Sequence, residues 1–507
     1  MSAYIAATKA GKVGGAEIAD GVVAWSGIPY AAAPVGELRL RAPEPAAGWS
    51  GVREATSYGA PSLQALLPEI PGASAAGFGA APLEMPEPSE DCLYLNVVAP
   101  AGAANLPVLV WIHGGGYQMG NGTQGPGDGA RFARAHGVVV VTFNYRLGAL
   151  GFLAVDGEAH SGAFGLHDQI AALRWVRENI AGFGGDPDRV TVYGVSAGAK
   201  SVANLLASPL TKGLIHQAAS SSGGADHVAT PAQAAAVAAR FFRELGTGPR
   251  NVREVGAEEI LAAQNAIGGG MRATWLWRPA IDGSALTVRP LDAIAAGSAA
   301  GIPLLAQTCV NECFIYQLMV PDAAAQAGRV LREYFGESGA DEVLAAYAAA
   351  RPELADDPVR LGVEIMTDER YVIPTTRLVD AQSAHAPVWR SRYDVPLTGL
   401  PTSIAPGGVL PAVHGTDGAP IWNGGEGVAA LLHQAWGSFV NRGVPSGVPS
   451  AAGLPDWPGY DTPRRATLIF DEPEPRLAED PNGAQRAAWD SRDWPSGTWW
   501  HFDGVTP

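Results

Sequence analysis

Two short apolar runs in the first third of the chain predict buried strands. Residues 107–113 read PVLVWIH and residues 137–144 read GVVVVTFN, and glycine or polar residues close each run. Nearly continuous apolar runs of this length are typical of strands that are covered on both faces in a parallel sheet. The run at residues 190–193 predicts a third strand of the same kind.

Apolar positions between residues 166 and 180 recur every three or four residues, which predicts an amphipathic helix. A turn-rich stretch, GFGGDPDR, separates it from the third strand, and a sharp GVSAG turn then leads into a second helix, AKSVANLLAS. This alternation of strands and helices indicates a doubly wound α/β sheet. Residues 341–371 and 427–440 also have helical patterns, and no internal repeat is visible.

A chain of 507 residues with 47% hydrophobic content can bury a large core, and we expect a single catalytic domain over residues 1–507. Residues 61–89 are rich in Ala, Gly and Pro without any period. They predict a lid or gorge-rim loop, with a disordered insertion as the alternative. Residues 320–380 are expected to form a helical insertion over the site.

The charge balance narrows the choice of partners. With 34 basic and 50 acidic residues, the net charge of −16 argues against nucleic acids and anionic membranes. The N-terminus lacks the apolar core of a signal peptide, and no apolar run approaches a membrane span of roughly 18 to 20 residues. Together with only three cysteines, this predicts a cytoplasmic protein. Cys309 and Cys313 lack a matching His/Cys pair nearby, so no metal site is expected.

Residues 194–198, GVSAG, match the nucleophile elbow, in which small neighbours let the backbone turn steeply and present a serine above the sheet. Ser196 is therefore the candidate nucleophile, with an ordinary strand-to-helix turn as the alternative. Upstream, HGGG at residues 113–116 follows a predicted strand, and glycine amides approach a ligand without a Cβ in the way. Gly115, Gly116 and Ala197 are the candidate oxyanion donors, and a flexible glycine turn is the alternative.

Where a serine nucleophile lies on an elbow of this kind, the acid and the base of the catalytic triad follow the serine along the chain. The later histidines are His385, His414, His433 and His501. His414 is favoured because it lies in a loop, GGVLPAVHGTDGAP, whereas the others lie in a helix, before an apolar stretch or in the terminal tail.

Position along the chain leaves three candidates for the acid, which are Asp282, Glu312 and Asp417. Glu312 is favoured because it follows the apolar run at residues 302–306, a plausible strand.

Several blocks in order along the chain resemble the type-B carboxylesterases, the family of cholinesterases and bacterial para-nitrobenzyl esterases. They include GIPYAAAPVGELRLRAPEP, SEDCLYLNV, VWIHGGGYQMG, NYRLGALGF, GLHDQIAALRWVRENIAGFGGDPDRVTVYGVSAGA and AVHGTDGAP. The resemblance implies an α/β-hydrolase fold, with a large, mostly parallel sheet flanked by helices. It also implies that Glu312, in QTCVNEC, is the acid and that the Ser222 hydroxyl lies beside the His–Glu pair. Two implied ion pairs are Arg39 with Glu90 and Arg146 with Asp168.

This sequence departs from the family pattern at three places. Val195 stands where the family usually has Glu, and Cys313 stands where a glycine usually follows the acid. Cys92 matches a cysteine that secreted members pair, but the partner position holds Ser62, so no disulfide is expected there.

These observations predict a serine ester hydrolase with a Ser–His–Glu triad, acting on small apolar or aromatic esters without a cofactor or an obligate protein partner. Tyr117, Trp275 and Trp277 are candidate pocket residues, with core packing as the alternative. An aryl carbamate, anilide or amide hydrolase on the same triad is the nearest alternative function. A non-catalytic binding protein and a lipase acting at membranes rank lower, the latter because residues 61–89 are mostly small.

Overall fold

A computed structural model of the protein describes residues 4–64, 86–123, 125, 129–268, 276–319, 324–399, 406–446 and 453–494. Most of the segment predicted to form a lid, residues 61–89, lies outside these ranges. In the part of the chain that is described, no helix is both long enough and apolar enough to cross a lipid bilayer.

The described strands join in one sheet of thirteen. They are β1 (Tyr4–Ala7), β2 (Lys12–Ala19), β3 (Val22–Pro29), β4 (Val52–Glu54), β5 (Tyr94–Pro100), β6 (Leu106–Ile112), β7 (Val139–Phe143), β8 (Gly185–Val195), β9 (Gln217–Ser221), β10 (Leu304–Cys309), β11 (Val388–Tyr393), β12 (Ala466–Phe470) and β13 (Arg476–Glu479). Their spatial order is β1-β2-β3-β5-β7-β6-β8-β9-β10-β11-β12-β13, with β4 beside β2.

The seven strands from β7 to β12 in this order run parallel, and antiparallel strands extend the sheet at both ends. The three apolar runs noted in the sequence are β6, β7 and the second half of β8. The prediction that GFGGDPDR is only a turn was wrong at its end. Gly185 already pairs with Leu106, and a shift in register lets β8 continue from there.

Helices cover the sheet. They are α1 (Ala130–His136), α2 (Gly148–Phe152), α3 (Phe164–Asn179), α4 (Ala197–Ala207), α5 (Pro231–Leu245), α6 (Ala257–Gly268), α7 (Pro290–Ala295), α8 (Phe314–Met319), α9 (Ala327–Ala350), α10 (Pro358–Thr367), α11 (Ile373–Ser383), α12 (Gly418–Asn423), α13 (Gly427–Arg442) and α14 (Gly483–Ala487). A π-helical turn, Asp368–Val372, joins α10 to α11. The predicted helical patterns at 341–371 and 427–440 are confirmed.

The apolar core lies on both faces of the sheet. Alternate residues of β6 face opposite sides: Val108 and Val110 belong to the larger cluster, which includes residues of α3 and α4. Leu109 and Trp111 belong to a second cluster, which includes residues of α1 and α13. The continuous apolar run of β6 follows from this burial on both faces.

Both ion pairs implied by the family resemblance are present. Arg39 and Glu90 approach to 2.6 Å, and Arg146 binds the Asp168 carboxylate through Nε at 2.8 Å and Nη2 at 2.7 Å. A buried pair with two parallel hydrogen bonds strongly restricts both side chains. Arg146 follows β7 and Asp168 lies in α3, so their contact fixes the helix against the sheet.

The three cysteines are free and buried. Burial is the main cause that raises the pKa of Cys92 to about 12, while a hydrogen bond with Ser62 acts in the opposite direction. The expectation that Ser62, and not a second cysteine, stands beside Cys92 is therefore confirmed.

Candidate active site

Ser196 lies at the junction of β8 and α4 with φ of 58° and ψ of −122°. This strained conformation persists because the surroundings leave no alternative. A Cβ at Gly194 would lie 2.3 Å from the Gly198 carbonyl carbon, and one at Gly198 would lie 2.0 Å from the carbonyl oxygen of Ile112. The Ser196 amide donates to the Ser221 carbonyl at 2.9 Å. The glycines of GVSAG are thus required by close backbone contacts.

The glycine loop after β6 packs directly against this elbow. A Cβ at Gly114 would lie 2.8 Å from the carbonyl oxygen of Val195 and 3.1 Å from Cβ of Ser196. Gly115 and Gly116 have φ of 103° and 61°, values that glycine adopts readily. Within the described chain their amides donate to no backbone carbonyl. The Ala197 amide, in the first turn of α4, also precedes the helical hydrogen-bond ladder.

His113 anchors the start of that loop. Its ring stacks on Tyr145 at a centroid distance of 4.3 Å, and the Tyr145 hydroxyl donates to the His113 carbonyl at 2.9 Å. Burial lowers the pKa of His113 to about 4. The imidazole is therefore neutral near pH 7, and it supports the loop by packing without adding a charge.

Glu312 and His414 form a buried pair. His414 Nδ1 lies 2.6 Å from Glu312 Oε2, and the His414 amide donates to the Glu312 carbonyl at 3.3 Å. A second backbone bond joins the two loops, from the Asn311 amide to the Ala412 carbonyl at 2.9 Å. The loop after β10 and the loop before α12 therefore hold each other in place, although 102 residues separate Glu312 from His414.

The second oxygen of Glu312 is also fully engaged. Oε1 accepts from Ser222 Oγ at 2.7 Å and from the Cys309 amide at 2.7 Å. Of the three acids that the sequence left open, Glu312 contacts His414. Asp417 accepts from Gln307 Nε2 at 2.7 Å, and Asp282 lies 2.8 Å from His167 Nε2.

The candidate residues come from neighbouring parallel strands whose carboxyl ends lie at one edge of the sheet. The glycine loop follows β6, Ser196 follows β8, Ser222 follows β9 and Glu312 follows β10. Among the described residues, no hydrogen bond joins the Ser196 hydroxyl to the His414 ring. Such bonds are often long without substrate. The described side chains thus form a His–Glu pair and a strained serine at one sheet edge.

Comparison with known proteins gives the family. The model of the carboxylesterase family matches residues 2–489. The chain belongs to the carboxylesterase family. It is 38% identical to a para-nitrobenzyl esterase of Bacillus subtilis (strain 168), over 96% of this chain and 98% of that protein. It is 33% identical to a phenmedipham hydrolase of Pseudarthrobacter oxydans, over 94% of this chain and 97% of that protein.

The fold agrees with a solved structure of a PNB esterase. The TM-score is 0.81 at 36% identity, with 96% of this chain and 99% of that chain covered. The expected α/β-hydrolase architecture of this carboxylesterase is therefore confirmed.

The pocket candidates take different positions in this carboxylesterase. The Tyr117 hydroxyl accepts from Ser201 at 3.3 Å and from Asn204 at 3.5 Å, and its side chain is fully buried. Trp277 is also buried and packs edge-to-face on Phe241 at 5.8 Å, the arrangement of the core-packing alternative. Trp275 lies outside the described residues.

The departures from the family pattern fit the local packing. Val195 packs against the second core cluster, and Cys313 is fully buried. The Cys313 amide donates to Thr367 Oγ1 at 3.1 Å, which joins the loop that contains Glu312 to the end of α10.

Two tyrosines beside His414 were not found from the sequence. The Tyr371 ring lies 4.5 Å from the His414 ring, the Tyr316 ring lies 6.1 Å away, and the two hydroxyls are 2.5 Å apart. Tyr371 belongs to the π-helical turn between α10 and α11. An aromatic residue within a helical pattern gives no indication of such a contact, because only the tertiary packing brings the turn to the site.

Proposed function

We propose that the protein hydrolyses carboxylic esters with Ser196 as nucleophile, His414 as general base and Glu312 as the acid that orients the base. The observation that carries the proposal is the fixed Glu312–His414 pair at the same sheet edge as the strained serine. Because Glu312 holds Nδ1 of His414, the ring offers Nε2 for the proton of Ser196. Membership of the carboxylesterase family supports the same reaction.

In the proposed acylation step, His414 takes the hydroxyl proton while the Ser196 oxygen attacks the carbonyl carbon. The negative charge that develops on the carbonyl oxygen is stabilised by the amides of Gly115, Gly116 and Ala197. Protonated His414 then donates its proton to the leaving alcohol, and an acyl-enzyme remains on Ser196.

Deacylation repeats these steps with water. His414 takes a proton from the water, which attacks the acyl carbonyl, and the released carboxylic acid leaves Ser196 with its proton restored. Glu312 stabilises the imidazolium in both halves of the cycle, and Ser222 keeps the carboxylate in position. The cycle uses no cofactor.

Small apolar or aromatic esters are the proposed substrates. The similarity to a para-nitrobenzyl esterase supports this class. We also propose that the insertion predicted at residues 320–380 covers the site, which the contact between Tyr371 and His414 supports. Aryl carbamates form the second candidate class, because the phenmedipham hydrolase among the relatives is named for an aryl carbamate.

The test is turnover of short-chain para-nitrophenyl esters, phenmedipham and simple anilides by the wild type and by Ser196→Ala. We expect ester hydrolysis in the wild type and a loss of about 10⁴- to 10⁶-fold in Ser196→Ala, as for other serine triads. A carbamate turned over faster than every ester would move the assignment to the second class.

Labelling with a fluorophosphonate gives a readout independent of the substrate chosen. The wild type is expected to react once per chain and Ser196→Ala not at all. A folded wild type that neither reacts nor turns over any substrate would favour the non-catalytic binding protein instead.

A further inference from the structure

Two histidines and an aspartate outside the candidate active site form a compact cluster. His160 precedes α3, His167 lies in its first turn, and Asp282 lies in the segment before α7. One ligand atom of each residue lies within 4.8 Å of the other two. In the described part of the chain, this is the group of His, Cys, Asp and Glu side chains that is arranged closely enough to hold a metal ion.

Two of the distances between the side chains are close to those around a tetrahedral ion. Asp282 Oδ2 lies 2.8 Å from His167 Nε2 and 3.6 Å from His160 Nδ1. Metal bonds of about 2.0 to 2.1 Å in tetrahedral geometry separate the ligand atoms by roughly 3.3 Å. The two observed separations lie on either side of this value, and the ligand atoms of the three residues all lie within 4.8 Å of one another.

A fourth polar atom, the hydroxyl oxygen of Ser284, lies close to these three ligand atoms. Ser284 Oγ donates to Asp282 Oδ2 at 2.9 Å, and it lies 2.7 Å from His160 Nδ1 and 3.4 Å from His167 Nε2. This one hydroxyl is already close to all three ligand atoms. It can serve as the fourth ligand or give its position to water.

The aspartate is held in the orientation that a metal ligand needs. Asp282 Oδ1 accepts from the amides of Ser284 at 3.0 Å and Leu286 at 2.9 Å, which leaves Oδ2 facing the imidazoles. Outer hydrogen bonds of this kind fix ligating carboxylates.

The two histidines differ in exposure, which leaves a route for the ion. Their rings lie 4.1 Å apart. The side chain of His160 is 32% exposed, whereas the side chains of His167 and Asp282 are 8% and 0% exposed, so an ion can enter past His160. An imidazole nitrogen that carries no hydrogen binds a metal through its lone pair.

We propose that His160, His167 and Asp282 bind one Zn²⁺ ion, with Ser284 or water as the fourth ligand. Two nitrogens and one carboxylate oxygen suit Zn²⁺, whereas Mg²⁺ and Ca²⁺ prefer sites made of oxygen atoms. Because 115 residues separate His167 from Asp282, the ion links the start of α3 to the segment before α7 and stabilises the folded chain.

The test is calorimetric titration of the chelator-treated protein with ZnCl₂, together with thermal unfolding. We expect one Zn²⁺ per chain and a rise in the unfolding midpoint of about 3 °C at a 100-fold excess over Kd. His160→Gln and His167→Gln should each lose both effects, and Ser284→Ala should weaken binding by about 10-fold. MgCl₂ should produce neither effect.

A second histidine pair provides the matched control. The rings of His136 and His433 lie 4.4 Å apart, but no carboxylate completes a metal-binding group with them in the described chain. His433→Gln should therefore keep the full zinc response. Circular dichroism of the zinc-free variants establishes that they fold. Absence of stoichiometric zinc in the wild type, or equal binding in folded His160→Gln and His167→Gln, would overturn the proposal.

Discussion

The His414–Glu312 and His167–Asp282 pairs contain the same groups. In each, the histidine side chain is 8% exposed and the carboxylate is fully buried. Each carboxylate also accepts from a serine hydroxyl, Ser222 at 2.7 Å or Ser284 at 2.9 Å, and from backbone amides. A buried His–carboxylate pair with a serine beside it therefore does not by itself identify a catalytic site.

The two pairs differ in which imidazole nitrogen contacts the carboxylate and in which group lies beside the histidine. Glu312 holds Nδ1 of His414, which leaves the outer Nε2 at an edge of the sheet where Ser196 and the glycine loop lie. Asp282 holds Nε2 of His167, so the outer nitrogen is already engaged, and the neighbour is a second imidazole. The first arrangement suits proton transfer, and the second suits metal binding.

The largest expected effect comes from removing the charge of Glu312. We expect Glu312→Gln to reduce kcat by about 10⁴-fold, because the amide no longer stabilises the imidazolium or its tautomer. Asp282→Asn, the matched change, should reduce kcat by less than about tenfold. Initial rates on a para-nitrophenyl ester measure both. Similar losses in the two variants would remove the distinction between the pairs.

His113 is a third buried histidine, and in the described chain it has no carboxylate partner. Burial lowers the pKa of His113 to about 4, so between that pH and about 6.5 the unfolded chain binds the extra proton. The contribution of His113 to the free energy of unfolding is therefore complete above about pH 6.5. It falls by up to about 3 kcal/mol as the pH drops toward 4.

His113→Phe should remove this part of the pH dependence. Unfolding midpoints at pH 7 and pH 4.5 measure it, and the difference between the two should be smaller in the variant than in the wild type. An equal difference in both proteins would show that His113 does not contribute.

The smallest expected effect separates the two serines. Ser222→Ala should lower kcat by about 10-fold with little change in KM, because a hydrogen bond to a charged group contributes about 1.5 to 3 kcal/mol and only part of it acts in the transition state. Ser284→Ala should leave kcat within about twofold, since its hydroxyl contacts His160, His167 and Asp282, which lie outside the candidate active site. The full pH–rate profile of each variant is the measurement.

Much of the fold was predictable because its central strands are buried on both faces. The apolar runs of β6 and β7 are unusual enough to be recognised without neighbours. The start of β8 was missed because Gly185 and the polar residues after it join the sheet only through pairing with Leu106. The pattern of apolar residues along the chain does not reveal such a contact.

The candidate site, like the fold, was predictable only in part. Ser196 and the glycines were accessible because a steep backbone turn requires small residues at fixed spacing. The acid was not fixed by spacing, since Asp282, Glu312 and Asp417 all follow the elbow. Resemblance to the family favoured Glu312, and its contact with His414 agrees with that choice. The expectation of no metal site rested on the cysteines. Asp282 lies 115 residues from His167, so no local spacing connects it with His160 and His167.

The parallel sheet, the elbow at Ser196 and the glycine loop were predictable because each depends on residues that are adjacent along the chain. The contacts of Glu312 with His414, of Tyr371 with His414 and of Trp277 with Phe241 arise from tertiary packing. They join residues far apart in the chain, and their geometry depends on how the strands and loops pack, which no local pattern of residues records.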